Sequence, residues 1–232
     1  MKKIIFCDFD GTITKKDTVD EFLREFALPE WEKIELLWQK GAIGSDECLK
    51  RQIDCVEHIT LEEIYNFLDL VEIDNSFVDF YYFIRDKDID LIVLSDGFDL
   101  FIEYIFKRLE LDIRFFSNSL TYKQGRLSID FPYRDNLCQV SSGMCKCKII
   151  EKYSNEQFIY YIGNGRSDFC PVKLADFIFS KNELTRFSFE KGYNFYNFDS
   201  FSEIKDLISY HILDNKFFYK NYKNFKSILN LL

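Results

Sequence analysis

The apolar run Ile4-Ile5-Phe6 stops at Asp8-Phe9-Asp10-Gly11-Thr12, where a strand has no reason of its own to carry charge. Short β-branched and aromatic runs of this kind read as parallel strands buried on both faces. The pattern recurs twice. Residues 90–94 break off at Ser95-Asp96-Gly97-Phe98-Asp99, and residues 158–162 break off at Gly163-Asn164-Gly165-Arg166-Ser167-Asp168. Further strands are expected over residues 113–117, 175–179 and 193–198, with a hairpin joining 119–122 to 127–131 through Lys123-Gln124-Gly125-Arg126.

Between the first two strands the apolar spacing changes to that of helices. Asp17 can cap a helix whose Val19, Phe22, Leu23 and Phe26 share one face and which ends before Pro29. A second helix is expected over residues 30–40, with Gly41 as its stop, and a third from Ser45 to near His58. Thr60-Leu61-Glu62-Glu63 fits a capping box for a fourth. Helices are also expected over 76–87, 98–109 and 201–211, from Lys146 onward, and in the basic amphipathic tail 216–232. The expected class is α/β with a parallel sheet. Residues 1–14 and 76–232 would form the core domain, and residues 15–75 a helical bundle inserted after the first strand, where it can act as a lid.

Composition narrows the function. The 232 residues are 47% hydrophobic, with no apolar run long enough for a membrane span and no signal-peptide pattern, which points to the cytoplasm. A net charge of -9 argues against nucleic acid as the main partner. Seven scattered cysteines suggest reduced thiols, and Cys145 and Cys147, with Cys138 upstream, lack the second matched pair of a zinc site. His58 and His211 stand in no catalytic or metal-ligand spacing, so carboxylates should carry the chemistry.

Alternation sends Asp8 and Asp10 to the same side of the strand end, where ligands bind in open α/β sheets. Two carboxylates held together need a shared proton or a hard cation such as Mg²⁺. Ser95 and the turn after it, including Asp96 and Gly97, offer a hydroxyl and free N–H groups to an anion. Lys146, in a helix's first turn, opposes the dipole unless a carboxylate or anion faces it. Asn164 and Asp168 are oxygen ligands beside glycines. Taken singly, each of these is an ordinary acidic turn, cap or solvent lysine. Together they supply what phosphoryl transfer requires.

The order D-F-D-G-T, S-D-G, K, G-N-G-R-S-D, with the helical insertion after the first motif, resembles haloacid dehalogenase (HAD) superfamily phosphatases of the phosphoserine phosphatase type, subfamily IB. The likeness covers nearly the whole chain. It implies a Rossmann-like three-layer sandwich with an inserted helical-bundle cap, and a small phosphorylated metabolite as substrate. Asp8 would be the nucleophile that forms an aspartyl-phosphate, and Asp10 the acid and base. Mg²⁺ would bind Asp8, the Asp10 carbonyl, Asn164 and Asp168. Ser95, Asp96, Gly97 and Lys146 would bind phosphate, and Asp17, at the cap entrance, would contribute to substrate choice.

Met144-Cys145-Lys146, G-N-G-R-S-D-F-C-P and Ala175 to Phe179 are similar to two branches, those acting on 2-hydroxy-3-keto-5-methylthiopentenyl 1-phosphate and on phosphoethanolamine or phosphocholine. The S-D-G-F-D stretch favours the first. Acids near the leaving group would suit an amine, and the cap aromatics a thioether. Asn164 stands where the superfamily usually has aspartate, so weaker metal binding with catalysis kept is expected. A non-catalytic phospho-metabolite-binding protein is the rival reading. It gives no reason to keep the like-charged pair Asp8 and Asp10.

Overall fold

A computed structural model describes residues 2–153 and 157–213. Seven strands form one sheet in the order β4-β3-β2-β1-β5-β6-β7. The first strand, β1 (Lys2–Cys7), lies in the middle, paired in parallel with β2 (Asp90–Phe98) and β5 (Gln157–Gly163). β3 (Arg114–Lys123) extends the sheet beyond β2, and β6 (Phe177–Ser180) and β7 (Phe195–Asn197) extend it beyond β5, all in parallel. β4 (Arg126–Asp130) alone runs antiparallel, against β3. Alternate residues of β1 enter different cores, Ile5 and Cys7 on one face and Ile4 and Phe6 on the other, as a doubly covered strand requires.

Register explains why the site forms. Cys7 pairs with both Val93 and Ile162, so the three polar loops emerge together at the carboxyl edge of adjacent strands. The Asp8 N–H continues the ladder, donating to the Ile162 carbonyl at 2.8 Å.

Four helices follow β1: α1 (Thr18–Phe26), α2 (Trp31–Gln39), α3 (Ser45–Ile53) and α4 (Leu61–Leu70). The capping box at Thr60 and Glu63 is formed in both directions. The chain leaves and re-enters the sheet side by side: Lys15 N–H donates to the Glu72 carbonyl and Asp74 N–H to that of Ile13. Phe22 and Phe67 pack against Phe101 of α6 (Asp99–Arg108), so the insertion shares a buried cluster with the sheet. Outside the insertion lie α5 (Phe77–Asp86), α7 (Lys146–Glu151), α8 (Asn182–Lys191) and α9 (Phe201–Leu213). Among the described residues no helix is long and apolar enough to cross a membrane, and all seven cysteines are free thiols.

Three expected boundaries differ. The third helix ends at Ile53 rather than near His58, because the segment after it docks on the β3–β4 turn, with Ile59 N–H donating to the Gly125 carbonyl. The strand expected at 113–117 and the hairpin arm at 119–122 are one strand, β3, which pairs first with β2 and then with β4. Finally, β2 does not stop at Leu94. It runs through Ser95, Asp96 and Gly97 with a register shift, so Gly97 is extended strand and not a turn. The basic tail 216–232 lies outside the described residues.

Candidate active site

Asp8 leaves β1 with 4% of its surface exposed. Its Oδ1 accepts from Lys146 Nζ at 2.6 Å, and its Oδ2 accepts from the Thr12 hydroxyl at 3.2 Å. Gly11, at φ +68°, makes the turn that returns Thr12 to Asp8. Burial and the charge of Asp168 push the Asp8 carboxyl up to about 7, against the pull of the Lys146 ammonium.

Asp10 is held from two sides. Its Oδ1 accepts from both the N–H and the hydroxyl of Thr18, at the start of α1, and its Oδ2 accepts from the Ser95 hydroxyl at 2.9 Å. Burial raises this carboxyl as well, opposed by the Thr18 and Ser95 hydrogen bonds. Ser95 in turn accepts from Gly97 N–H at 2.8 Å. A Cβ on Gly97 would stand 2.5 Å from Asp10 Oδ2, so only glycine lets β2 pass this close.

Lys146 opens α7, and two carboxylates face it, Asp8 at 2.6 Å and Asp168 at 2.7 Å. Burial works against its charge, yet Asp168 and Asp8 outweigh burial and push the ammonium up. The structure therefore brings together Asp8, Asp10, Ser95, Lys146, Asn164 and Asp168, which are up to 160 residues apart in sequence.

The oxygen ligands expected of the last loop divide in role. Asp168 is fully buried, and its Oδ1 accepts from Lys146 and the Tyr161 hydroxyl while its Oδ2 accepts from the N–H groups of Asn164 and Gly165. Four donors fill the lone-pair sites of a carboxylate, so Asp168 fixes the loop and Lys146 and has no site left for a cation. This corrects the expectation of Asp168 as a ligand. Asn164 faces the Asp10 main-chain carbonyl, its Nδ2 donating at 3.1 Å. Turning the amide over would place Oδ1 against that carbonyl, an arrangement that a cation between the two oxygens satisfies. Asp8, the Asp10 carbonyl and Asn164 thus make an all-oxygen donor set with a single carboxylate, which fits Mg²⁺ completed by water and substrate. Among the described residues no group of three or more His, Cys, Asp and Glu side chains could hold a metal.

Two other expected site residues are also occupied. Asp17 caps α1, accepting from Val19 N–H and Asp20 N–H at 3.0 Å each, while lining the cavity. The Asp96 carboxylate, expected near phosphate, accepts from Ser45, Asn118 and Met144 N–H.

A cavity of about 210 Å³ opens over Asp8 and Asp10 and is walled by the helical insertion. A lid was expected, but sequence reasoning did not single out the residues that line it: Val19, Asp20, Glu35, Trp38, Leu49 and Gln52 all reach the cavity from α1, α2 and α3. The signal available was weak, since each sits on an ordinary amphipathic helix. Burial and the nearby Glu35 push the Asp20 carboxyl up to about 6.

Comparison with known proteins places the chain in a family. Residues 3–189 match the family described as Putative Phosphatase. The 2-hydroxy-3-keto-5-methylthiopentenyl-1-phosphate phosphatase of Bacillus velezensis is 30% identical over 205 residues, which cover 87% of this chain and 88% of that protein. The protein of the same name from Brevibacillus brevis is 32% identical over 189 residues, 79% of this chain and 84% of its own. A phosphoserine phosphatase solved as a phospho-aspartyl intermediate analogue aligns with a TM-score of 0.69 at 21% identity, covering 89% of this chain and 98% of that one. Phosphoserine phosphatase from T. onnurineus gives 0.68 at 20%, covering 90% and 94%. At these identities the structural likeness speaks for the fold.

Proposed function

The chain belongs to the Putative Phosphatase family, and we propose that it hydrolyses a small phosphomonoester in the manner of the HAD phosphatases, by way of an aspartyl-phosphate on Asp8, with Mg²⁺ as cofactor. The observation that carries this reading is the buried Lys146 ammonium, 2.6 Å from Asp8, beside a second carboxyl held by Ser95.

Asp8 Oδ2, held only by Thr12, attacks phosphorus. The bond to the leaving oxygen breaks, and that oxygen takes a proton from Asp10. Asp10, now ionised, accepts a proton from water as the water attacks the phosphoryl group, releasing phosphate and freeing Asp8. Thr18 holds Asp10 Oδ1 in place, while the single Ser95 O–H, which meets Asp10 Oδ2 in the free protein, turns to the phosphoryl group when substrate binds. Lys146 and Ser95 hold the phosphoryl oxygens, and Lys146 also offsets the Asp8 charge. Asp8, the Asp10 carbonyl and Asn164 would hold Mg²⁺, which supplies charge neutralisation at the phosphoryl group. In this reading residues 15–75 serve as the cap over the core formed by the described residues of 1–14 and 76–232.

For the substrate, the names of the curated relatives support 2-hydroxy-3-keto-5-methylthiopentenyl 1-phosphate, and Val19, Trp38 and Leu49 supply apolar wall for a thioether. A second reading, an amine-bearing phosphomonoester such as phosphoethanolamine, is favoured by Asp20 and Glu35 in the same wall. The deciding experiment is phosphate release from a panel of small phosphomonoesters with and without Mg²⁺, using Asp8→Asn as control. No release from any member, p-nitrophenyl phosphate included, at any Mg²⁺ concentration would end the phosphatase reading.

A further inference from the structure

The Asp96 carboxylate joins three parts of the chain that the proposed chemistry needs together. From the insertion, Ser45 at the start of α3 donates to Oδ2. From the segment leading to Lys146, Met144 N–H donates to Oδ1 at 2.9 Å, and the Ser142 hydroxyl, which donates to the Met144 carbonyl at 2.8 Å, stands 3.3 Å from Oδ2. From β3, the Asn118 amide donates to both Oδ1 and the Asp96 carbonyl. Asp96 itself directly follows Ser95. Ser45 is buried and has a second bond into the same segment, accepting from Gly143 N–H at 2.9 Å.

The contact is built for close approach. A Cβ on Gly44 would stand 2.3 Å from the Ser141 carbonyl, and one on Gly143 would stand 2.9 Å from Asn118 Oδ1. Just beyond, Asp46 of α3 pairs with Arg134 at 2.9 Å. The N-terminus of a cap helix is therefore docked by directional polar bonds onto the residues flanking two phosphate-binding positions, Ser95 and Lys146.

We infer that Asp96 is a positioning residue: by taking the Ser45 hydroxyl and the Met144 N–H on one carboxylate, it makes the placement of Lys146 and Ser95 depend on docking of α3. A carboxylate so occupied does not hold phosphate, whose negative charge it would repel. Cap docking and assembly of the phosphate cradle become one event. The inference rests on the proposed phosphatase reading only for its consequence in turnover.

The test uses the full chain and the variants Ser45→Ala, Ser45→Thr, Asp96→Asn and the Ser45→Ala/Asp96→Asn double. Residue-resolved amide exchange should quicken in Ser45→Ala at Met144, whose bond goes to Asp96, as well as at Gly143, which loses its acceptor directly. Turnover of p-nitrophenyl phosphate with Mg²⁺ should show kcat reduced roughly tenfold in Ser45→Ala, as expected of a sub-ångström misplacement. The double variant should be no worse than the worse single one, and Ser45→Thr, which keeps a hydroxyl, should retain most of the rate. Quickened exchange confined to Gly143, or rate losses that multiply in the double variant, would overturn the inference. A wild-type protein without turnover would instead remove the phosphatase reading, and the Met144 exchange would still decide on the clasp.

Discussion

Replacing Lys146 by Met keeps the unbranched stem and removes the ammonium, so the effect is one of charge and not of volume. Lys146 is 3% exposed, Asp8 4% and Asp168 0%, so the substitution leaves two carboxylates facing each other out of reach of water. Asp168 keeps Tyr161 and two N–H donors, whereas Asp8 keeps only Thr12. Removing one partner from a buried ion pair costs about 3–5 kcal/mol. For a chain of this length that corresponds to a fall in Tm of roughly 6–20 °C. The loss should depend on pH with a definite sign. The folded Asp8 carboxyl stands at about 7 even with Lys146 present, above the roughly 3.9 of an unfolded aspartate. The folded state therefore binds the extra proton in that window, and stability falls as pH rises through it. Without the ammonium the folded value moves higher still, so at pH 5.5 the variant protonates Asp8 and escapes much of the cost that it bears at pH 8. Urea unfolding in EDTA at both pH values measures this. A loss below about 1 kcal/mol at pH 8, or an equal loss at both, would refute the account of Lys146 as the counter-ion of a buried carboxylate pair.

Asp8→Asn should lower phosphate release by roughly 10⁴-fold or more, as loss of a nucleophile does, with the far-UV circular dichroism unchanged. Residual activity within tenfold of wild type would point to another nucleophile. Asn164→Asp should lower the Mg²⁺ concentration for half-maximal activity by about tenfold, because a carboxylate replaces an amide in the donor set. It should also destabilise the metal-free protein by about 1 kcal/mol, since the amide bond to the Asp10 carbonyl is lost. An activation curve superimposable on wild type would count against Asn164 as a ligand. Asp20→Asn should flatten the fall of stability between pH 4 and 6, where wild-type Asp20, raised to about 6 by burial and Glu35, holds a proton that the unfolded chain has released. The gain at pH 8 should be on the order of 1 kcal/mol, and an unchanged slope in urea titrations across that range would exclude it.

The sheet was legible where a single physical rule decides. A buried strand cannot end on charge without reason, so the runs before Asp8, Ser95 and Gly163 could each be placed, and parallel pairing then set their loops at one edge. The rule was silent where one strand serves two partners. Residues 113–117 and 119–122 look like separate elements because burial changes along β3, yet its backbone is continuous across the change from parallel to antiparallel pairing. The end of the third helix was hidden for a related reason, since the β-turn that competes with it lies far along the chain.

Within the site, residue type announced which groups could act but not which were free to act. Asp168 reads as a metal ligand until its donors are counted, and one of them is the hydroxyl of Tyr161, which sits inside an apolar strand and reads as core. Asp96 reads as part of a phosphate turn until β2 is seen to continue through it and Ser45 to reach it from 51 residues away. Asp17 both caps a helix and lines the cavity, so its two readings were never exclusive. In each case the deciding quantity is the occupancy of a carboxylate's lone pairs, which belongs to the folded neighbourhood. Asp8, with Lys146 and Thr12, and Asp10, with Thr18 and Ser95, are the two that exchange partners in the proposed phosphoryl transfer. Asp168, with four donors, and Asp96, held by Ser45, Asn118 and Met144, can keep that pair's surroundings still because the proposed reaction gives them no part in the exchange.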